Sequence, residues 1–430
     1  MRTEAEARAH LWRSRVKREA SRFCRSMIAG EAPAPLARSV DVPLGHAAAG
    51  AVNRVMPTLA EKPAQLAPSQ QKPATDHLFV SNVRFLSMAG VVLVHCITVA
   101  FSIAGFSASE GLERGLRQPV SFDVIGFFLI SGFLMEEGLT RRPPAEYLMR
   151  RMQRIFAPWL FWYLLFFAIL LSNDALHGRL GPLSWREEAL FALHRLLYCL
   201  FSSAYWFVPN LLIALCVLLA CRRFLFDRRL GGVLLALSLF YGLNLYTHWI
   251  PFQDHTEALF GFVFYLWLGG WAARNFAATH AWSTRISMPT LIAFGTLAGL
   301  AALVESGVLF AAGNPRPMNS LRICNQAYSI VLVLAIFKLR KPVWPRVVNV
   351  RVATFGIYLT HIIVLWPLTC IVRRLMGEAV AGRAWAGAAA TGVCLSLGFF
   401  VVTYGCSFSL TRWLLNRPRL RWMVGASVSG

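Results

Sequence analysis

Negative charge is scarce in this chain: 21 Asp and Glu stand against 43 Lys and Arg in 430 residues. Charge of either sign is also thin, at 15%, whereas 56% of the residues are hydrophobic, including 31 Phe and 14 Trp. A soluble protein of this length exposes far more charge, so the composition, with a mean hydropathy of +0.51, excludes that class. No CxxC pair or small secreted cysteine framework is present. Of nine cysteines, Cys96, Cys216, Cys221, Cys324, Cys370, Cys394 and Cys406 lie within or beside apolar runs and read as small hydrophobes. Basic-aromatic platforms and zinc-finger spacings are missing too, so the formal charge of +22 does not point to nucleic acid. The first apolar run begins near Leu78, too late for a cleavable leader, and none is expected.

What the chain does have is a series of apolar runs near the ~20 residues that a spanning helix needs. Ten are expected, at about 79–105, 120–139, 155–172, 204–221, 230–248, 257–273, 287–312, 320–337, 352–372 and 385–411. The expected fold is therefore an all-α integral membrane protein of about ten transmembrane helices. With both termini cytoplasmic, the inner loops and C-terminal tail hold roughly twice the Lys and Arg of the outer loops. Counting 188–203, which carries His194 and Arg195, as a further span would put Arg222, Arg223, Arg228 and Arg229 outside, so that stretch is expected to lie at the interface. Three segments follow: an Arg, Ala and Pro-rich cytoplasmic tail over 1–77, a membrane domain over 78–412, and a short basic cytoplasmic tail over 413–430. The first tail is expected to be disordered. A membrane-surface helix over Arg2–Met27, or a start at Met56, are its alternatives.

Arg84 and His95 share the first apolar run. Eleven helical steps carry the chain about 16 Å along its axis and return it to nearly the same face. A cation at the membrane edge and a deeper imidazole then lie on one stripe, and polar groups at such depth are more often functional than incidental. Taken alone, Arg84 would snorkel or pair with Glu136 or Glu137, and His95 would be a packed histidine. Asp123 opens the second run, as a cap or as the carboxylate that orients His95. Ser131 and Gly132 are expected at the depth of His95, where small residues allow close packing. Arg151 and Arg154, at i and i+3 in a loop with Arg141, Arg142 and Arg150, could grip one phosphate.

Further along, Trp206 follows Tyr205 at the start of the fourth span, Glu257 opens the sixth, and Glu305 is buried in the seventh. Asp254, His255 and Glu257 lack a convincing metal spacing and read as a solvated loop; no metal site is expected. Tyr358 and His361 share a face within GIYLTH, and Gly295 and Gly299 form a GxxxG packing pair.

These pieces, in order, resemble the acyltransferase-3 family of multi-spanning membrane acyltransferases, which includes bacterial O-antigen and exopolysaccharide acetyltransferases. The matching segments are VRFLSMAGVVLVHC with Arg84 and His95, DVIGFFLISGFL with Asp123, YLMRRMQRIFAPW with Arg151 and Arg154, YWFVPNLL with Trp206, and FGIYLTH ending at His361. They extend across about 78–412. One departure is VRFLSMAG, where a Leu-Arg-Gly-Ile start is common in the family.

The resemblance implies transfer of an acyl group, acetyl in most of the family, from cytoplasmic acyl-CoA to a sugar hydroxyl of a cell-surface or periplasmic glycan. His95 would be the catalytic base, with Arg84, Arg151 and Arg154 engaging the donor. Acyl-CoA is then a co-substrate, with no bound prosthetic group. The implied partners are the lipid bilayer of the bacterial inner membrane and a carbohydrate acceptor, with no nucleic acid. Competing readings are the same fold acylating a small molecule or lipid head group, and a glycan transporter or flippase using His95, Glu305 and His361 as a proton relay. Against transport, the sequence has no internal repeat of broken helices.

Overall fold

The computed structural model describes residues 75–104, 110–177, 185–251, 254–345, 349–376 and 385–426, so the expectations for residues 1–74 lie outside the described residues. Secondary structure there is helical throughout. The helices are α1 (Thr75–Ile103), α2 (Glu110–Arg117), α3 (Asp123–Leu139), α4 (Pro144–Leu176), α5 (Trp185–Phe201), α6 (Phe207–Ala220) and α7 (Arg228–Thr247). They continue as α8 (Val263–Arg274), α9 (Phe276–Arg285), α10 (Met288–Ala311), α11 (Ile323–Phe337), α12 (Val350–Met376) and α13 (Trp385–Leu415). Short 3-10 turns cover Gln118–Val120, Ala204–Trp206, Arg222–Phe224 and Pro418–Val424. Local chemistry sets several boundaries. Asp227 accepts from the Arg229 amide at 2.8 Å at the start of α7, and Ser287 does the same for Thr290 at 3.1 Å ahead of α10.

Among the described residues, seven helical segments are long and apolar enough to cross a membrane, and α5 with 204–220, bent by 74°, makes eight if the pair is one span. The chain is thus a multi-pass membrane protein. Two of the ten expected runs, 257–273 and 320–337, contain shorter helices. The 12 residues of α8 extend only about 18 Å and the 15 of α11 about 22 Å, against a core ~30 Å thick. Hydropathy measures apolarity without regard to what covers it. Val263, Tyr265 and Leu266 of α8 are buried against neighbouring helices, so the run is apolar for packing. In contrast, α5 buries only Cys199 and leaves Trp185, Leu190 and Leu193 exposed, a surface suited to the interface.

The core has two parts. One gathers residues of α3, α6, α8 and α11, the other those of α1, α4, α12 and α13, and Phe127 and Phe207 pack on both. Their rings lie 5.8 Å apart. The tightest crossing joins α3 to α8. A Cβ on Gly132 would stand 1.9 Å from the Leu266 carbonyl oxygen, and one on Gly269 would stand 1.9 Å from that of Leu129. Only glycine permits that approach, and it fixes α3 from behind while its other side faces the site.

Glu305 has a structural task. Its carboxylate accepts from the Ile323 amide at 2.7 Å, the Cys324 amide at 2.8 Å and the Tyr246 hydroxyl at 2.7 Å. It caps α11, where an anion meets the positive end of the helix. Nearby Arg322, fully buried, donates to Gln118 at 2.9 Å and to the carbonyls of Asn319 and Ala302. This ties the Gln118–Val120 turn, which leads into Asp123, to α10 and α11.

Candidate active site

A cavity of about 1600 Å³ runs between the two parts of the core, lined by Arg84, His95, Asp123, Ser131, Arg151, Arg154, Trp206 and Tyr358 together. Eight residues singled out in the sequence therefore meet in one space, whereas Glu257 and His361 do not line it. Arginines crowd one mouth, and Arg117, Asp254, His255 and Arg316 stand at the other, with His95 between.

The antiparallel pairing of α1 and α3 sets the depth of each group. Gly90 packs on Asp123, Gly126 on Ser87 and Val83, and Phe79 on Phe133 with rings 5.9 Å apart. Ser131 falls between the last two contacts. It thus lies near the arginine mouth beside the first turns of α1, which corrects its expected placement at the depth of His95. Hydropathic run boundaries place two helices only to within a turn or more, and the Gly90–Asp123 contact sets the actual register. Gly132 packs against α8, as its size allows.

At the arginine mouth, the glutamates are already taken. Glu136 pairs with Arg274 at 3.2 Å and Glu137 with Arg141 at 2.7 Å, while Glu146 holds Arg150 at 2.9 Å. Arg84, Arg151, Arg154 and Arg351 have no carboxylate partner among the described residues, and Arg151 and Arg351 bring like charge to Arg84. Guanidinium groups converging without counter-charge form a site for a multiply charged anion such as a phosphate. The C-terminal turn supplies one wall: Trp162 donates to the Met423 carbonyl at 2.8 Å, and Arg421, Val424 and Gly425 line the mouth. Gly425 has φ +73°, and a Cβ there would stand 2.8 Å from the Arg154 carbonyl oxygen.

In the middle, the His95 ring lies 5.5 Å from that of His361 and makes no hydrogen bond among the described residues. Asp123 is about 7.5 Å along α1 from the level of His95, judged from the five helical steps from Gly90 to His95. Its carboxylate accepts from the Val124 amide at 2.7 Å, the local role of a residue opening a helix. His361 is fully buried behind the cavity wall, with Nδ1 at 2.7 Å from the Tyr358 carbonyl. Tyr358 itself donates to the Ala204 carbonyl at 2.8 Å, and Tyr205 returns a bond to the Leu359 carbonyl at 2.8 Å.

The far mouth contains what the sequence left aside. His255 packs edge-on to Trp206 at 4.9 Å, and its Nδ1 lies 3.2 Å from the Asp254 carboxylate, which also holds Arg316 at 2.8 Å. Burial pushes the His255 imidazole below its ordinary pKa, with Asp254 pulling the other way. The loop read as solvated is thus a wall of the cavity, and only Glu257 of that cluster points away and is exposed. Arg117, Arg316 and Arg351 were also missed. Each stands at a helix end or in a loop, with no spacing to distinguish it from ordinary loop charge. Among the described residues, no group of three His, Cys, Asp or Glu is placed to hold a metal ion.

Compared with known proteins, residues 77–412 match the sequence model of an acyltransferase domain, that of the acyltransferase-3 family. No curated protein and no solved structure matches the chain. The match covers well over half of the 430 residues, so the chain belongs to the acyltransferase-3 family: it is a membrane-bound enzyme that transfers acyl groups other than aminoacyl groups.

Proposed function

From that membership, we propose that the enzyme moves an acyl group, acetyl by the habit of the family, from cytoplasmic acyl-CoA to a hydroxyl of a cell-surface or periplasmic glycan. It rests on one observation: four arginines with no carboxylate partner among the described residues line a single cavity with His95, and that cavity continues to a second, differently built mouth. Arg84, Arg151 and Arg154, joined by Arg351, hold the phosphates of coenzyme A by charge-assisted bonds. The long thin arm of the donor then follows α1 for the ~16 Å that separate Arg84 from His95. A charged nucleotide stays at the rim while the uncharged thioester enters the membrane interior, which avoids burying phosphate.

The acceptor enters at the other mouth. Trp206 offers an aromatic surface there, and Asp254, Arg316 and His255 offer donors and acceptors, the mixture that suits a sugar. His95 takes the proton of the acceptor hydroxyl as its oxygen bonds to the thioester carbonyl carbon. The C–S bond breaks, and the coenzyme A thiolate leaves with the proton that His95 returns. General-base help of this kind contributes typically about 10²–10⁴ in rate. Asp123, buried on the same cavity wall, is assigned to the electrostatics of this centre and has no bond to His95. The orientation that suits this reaction has both termini on the cytoplasmic side of the bacterial inner membrane.

Mass spectrometry of the surface glycans of a deletion strain, complemented with wild type or His95→Ala, tests the proposal. Loss of a labile acyl mass, restored by wild type alone, is the expected result. Equal restoration by both would remove His95 from the mechanism. No acyl difference in any strain would rule out the glycan as acceptor.

A further inference from the structure

The hydrogen-bonding state of His361 is fixed by its main-chain neighbours. Its Nδ1 lies 2.7 Å from the Tyr358 carbonyl oxygen and 3.1 Å from that of Ile357. Carbonyl oxygens only accept, so Nδ1 must carry hydrogen, and in a neutral imidazole Nε2 is then a bare acceptor. That Nε2 is buried and has no hydrogen-bond partner. A buried acceptor left open is costly, and natural structures seldom keep one without use. The ring that stands beside it is His95, at 5.5 Å between centroids and tilted by 43°.

We propose that Nε2 of His361 accepts a hydrogen bond from one ring N–H of His95, and so keeps the other His95 nitrogen unprotonated and aimed at the acceptor hydroxyl. His361 is a positioning residue and never exchanges a proton with substrate. Its part is the one that a carboxylate plays for a catalytic histidine, taken here by a neutral acceptor because Asp123 is engaged with the Val124 amide about one and a half turns of α1 away. The arrangement suits the surroundings: a second ionised group beside His95 would have to be buried as well, whereas a neutral imidazole adds no charge. This inference depends on His95 being the base.

The test uses the full-length enzyme in membranes of its host, which carry the native acceptor, with acetyl-CoA as donor and released thiol as readout. His361→Leu removes the acceptor, and His361→Gln keeps an acceptor oxygen. The expected result for His361→Leu is a turnover number lower by about 10² or more, with the KM for acetyl-CoA unchanged. His361→Gln should recover most of the turnover. If Leu matches wild type, or if Gln at normal protein level is as slow as Leu, the acceptor role is overturned. Should the Leu variant fail to accumulate, Gln alone decides: near wild-type turnover supports the role and a dead enzyme overturns it. His95→Ala separates the two layers of inference. If it remains active, both fall; if it is inactive while His361→Leu turns over normally, only the role of His361 falls.

Discussion

Tyr205 and Tyr358 clasp one another's backbone across the fold. The Tyr205 hydroxyl donates to the Leu359 carbonyl and the Tyr358 hydroxyl to the Ala204 carbonyl, each at 2.8 Å and each bridging 154 residues of sequence. The clasp ties the turn that carries Trp206 to the stretch of α12 that carries His361, so the two walls on either side of His95 are held at a fixed spacing.

Tyr205→Phe and Tyr358→Phe should each cost about 1 kcal/mol of stability, since each removes one hydrogen bond and leaves a buried carbonyl. The double variant should cost less than the sum, because the first cut already frees the turn. Thermal unfolding in detergent checks the stabilities, and activity should fall more for the double variant than for either single one.

Donor affinity should separate the arginines of the rim by their partners. Arg151→Ala and Arg154→Ala each remove a guanidinium with no carboxylate partner among the described residues and should raise the KM for acyl-CoA about tenfold or more, given ~1.5–3 kcal/mol for a bond to a charged group. Arg141→Ala should change it by less than about twofold, because Arg141 is two-thirds exposed and already paired with Glu137. Added salt should weaken wild-type donor binding and flatten this contrast.

Gly132→Ala should cost about 3 kcal/mol and reduce the amount of folded enzyme in the membrane, since its methyl would meet the Leu266 carbonyl. Gly232→Ala, where nothing lies within 4 Å, is the matched control and should accumulate normally. Immunoblotting of membrane fractions compares the two.

Glu305→Gln distinguishes a cap from a proton carrier. The amide loses charge opposite the start of α11 but retains an acceptor oxygen, so stability should fall by about 1–2 kcal/mol. Turnover per folded molecule should not change. A variant that folds well but transfers no acyl group would restore Glu305 to the chemistry.

Much of this enzyme was legible in the order of its residues. Arg84 and His95 announce a shared stripe because helical periodicity is a local property, and both do line the cavity. Arg151 and Arg154 were readable for the same reason. His255 was not: its neighbours Asp254 and Glu257 look like a wet loop, and its contact with Trp206 arises only when the turn before α6 meets the loop before α8. The state of the second histidine was equally hidden, since it depends on which carbonyls face its ring.

The sequence by itself determined that the chain is helical and apolar enough to live in a membrane, and that a cation and an imidazole share one helix face. Those properties follow from composition and from a 3.6-residue period, which need no partner. Tertiary structure alone decided which apolar runs are long enough to span, which carboxylates cancel which arginines, and how far Ser131 and Asp123 stand from His95. Each of these is a distance between segments remote in sequence, set by where glycines let helices touch and by which buried polar atoms find partners.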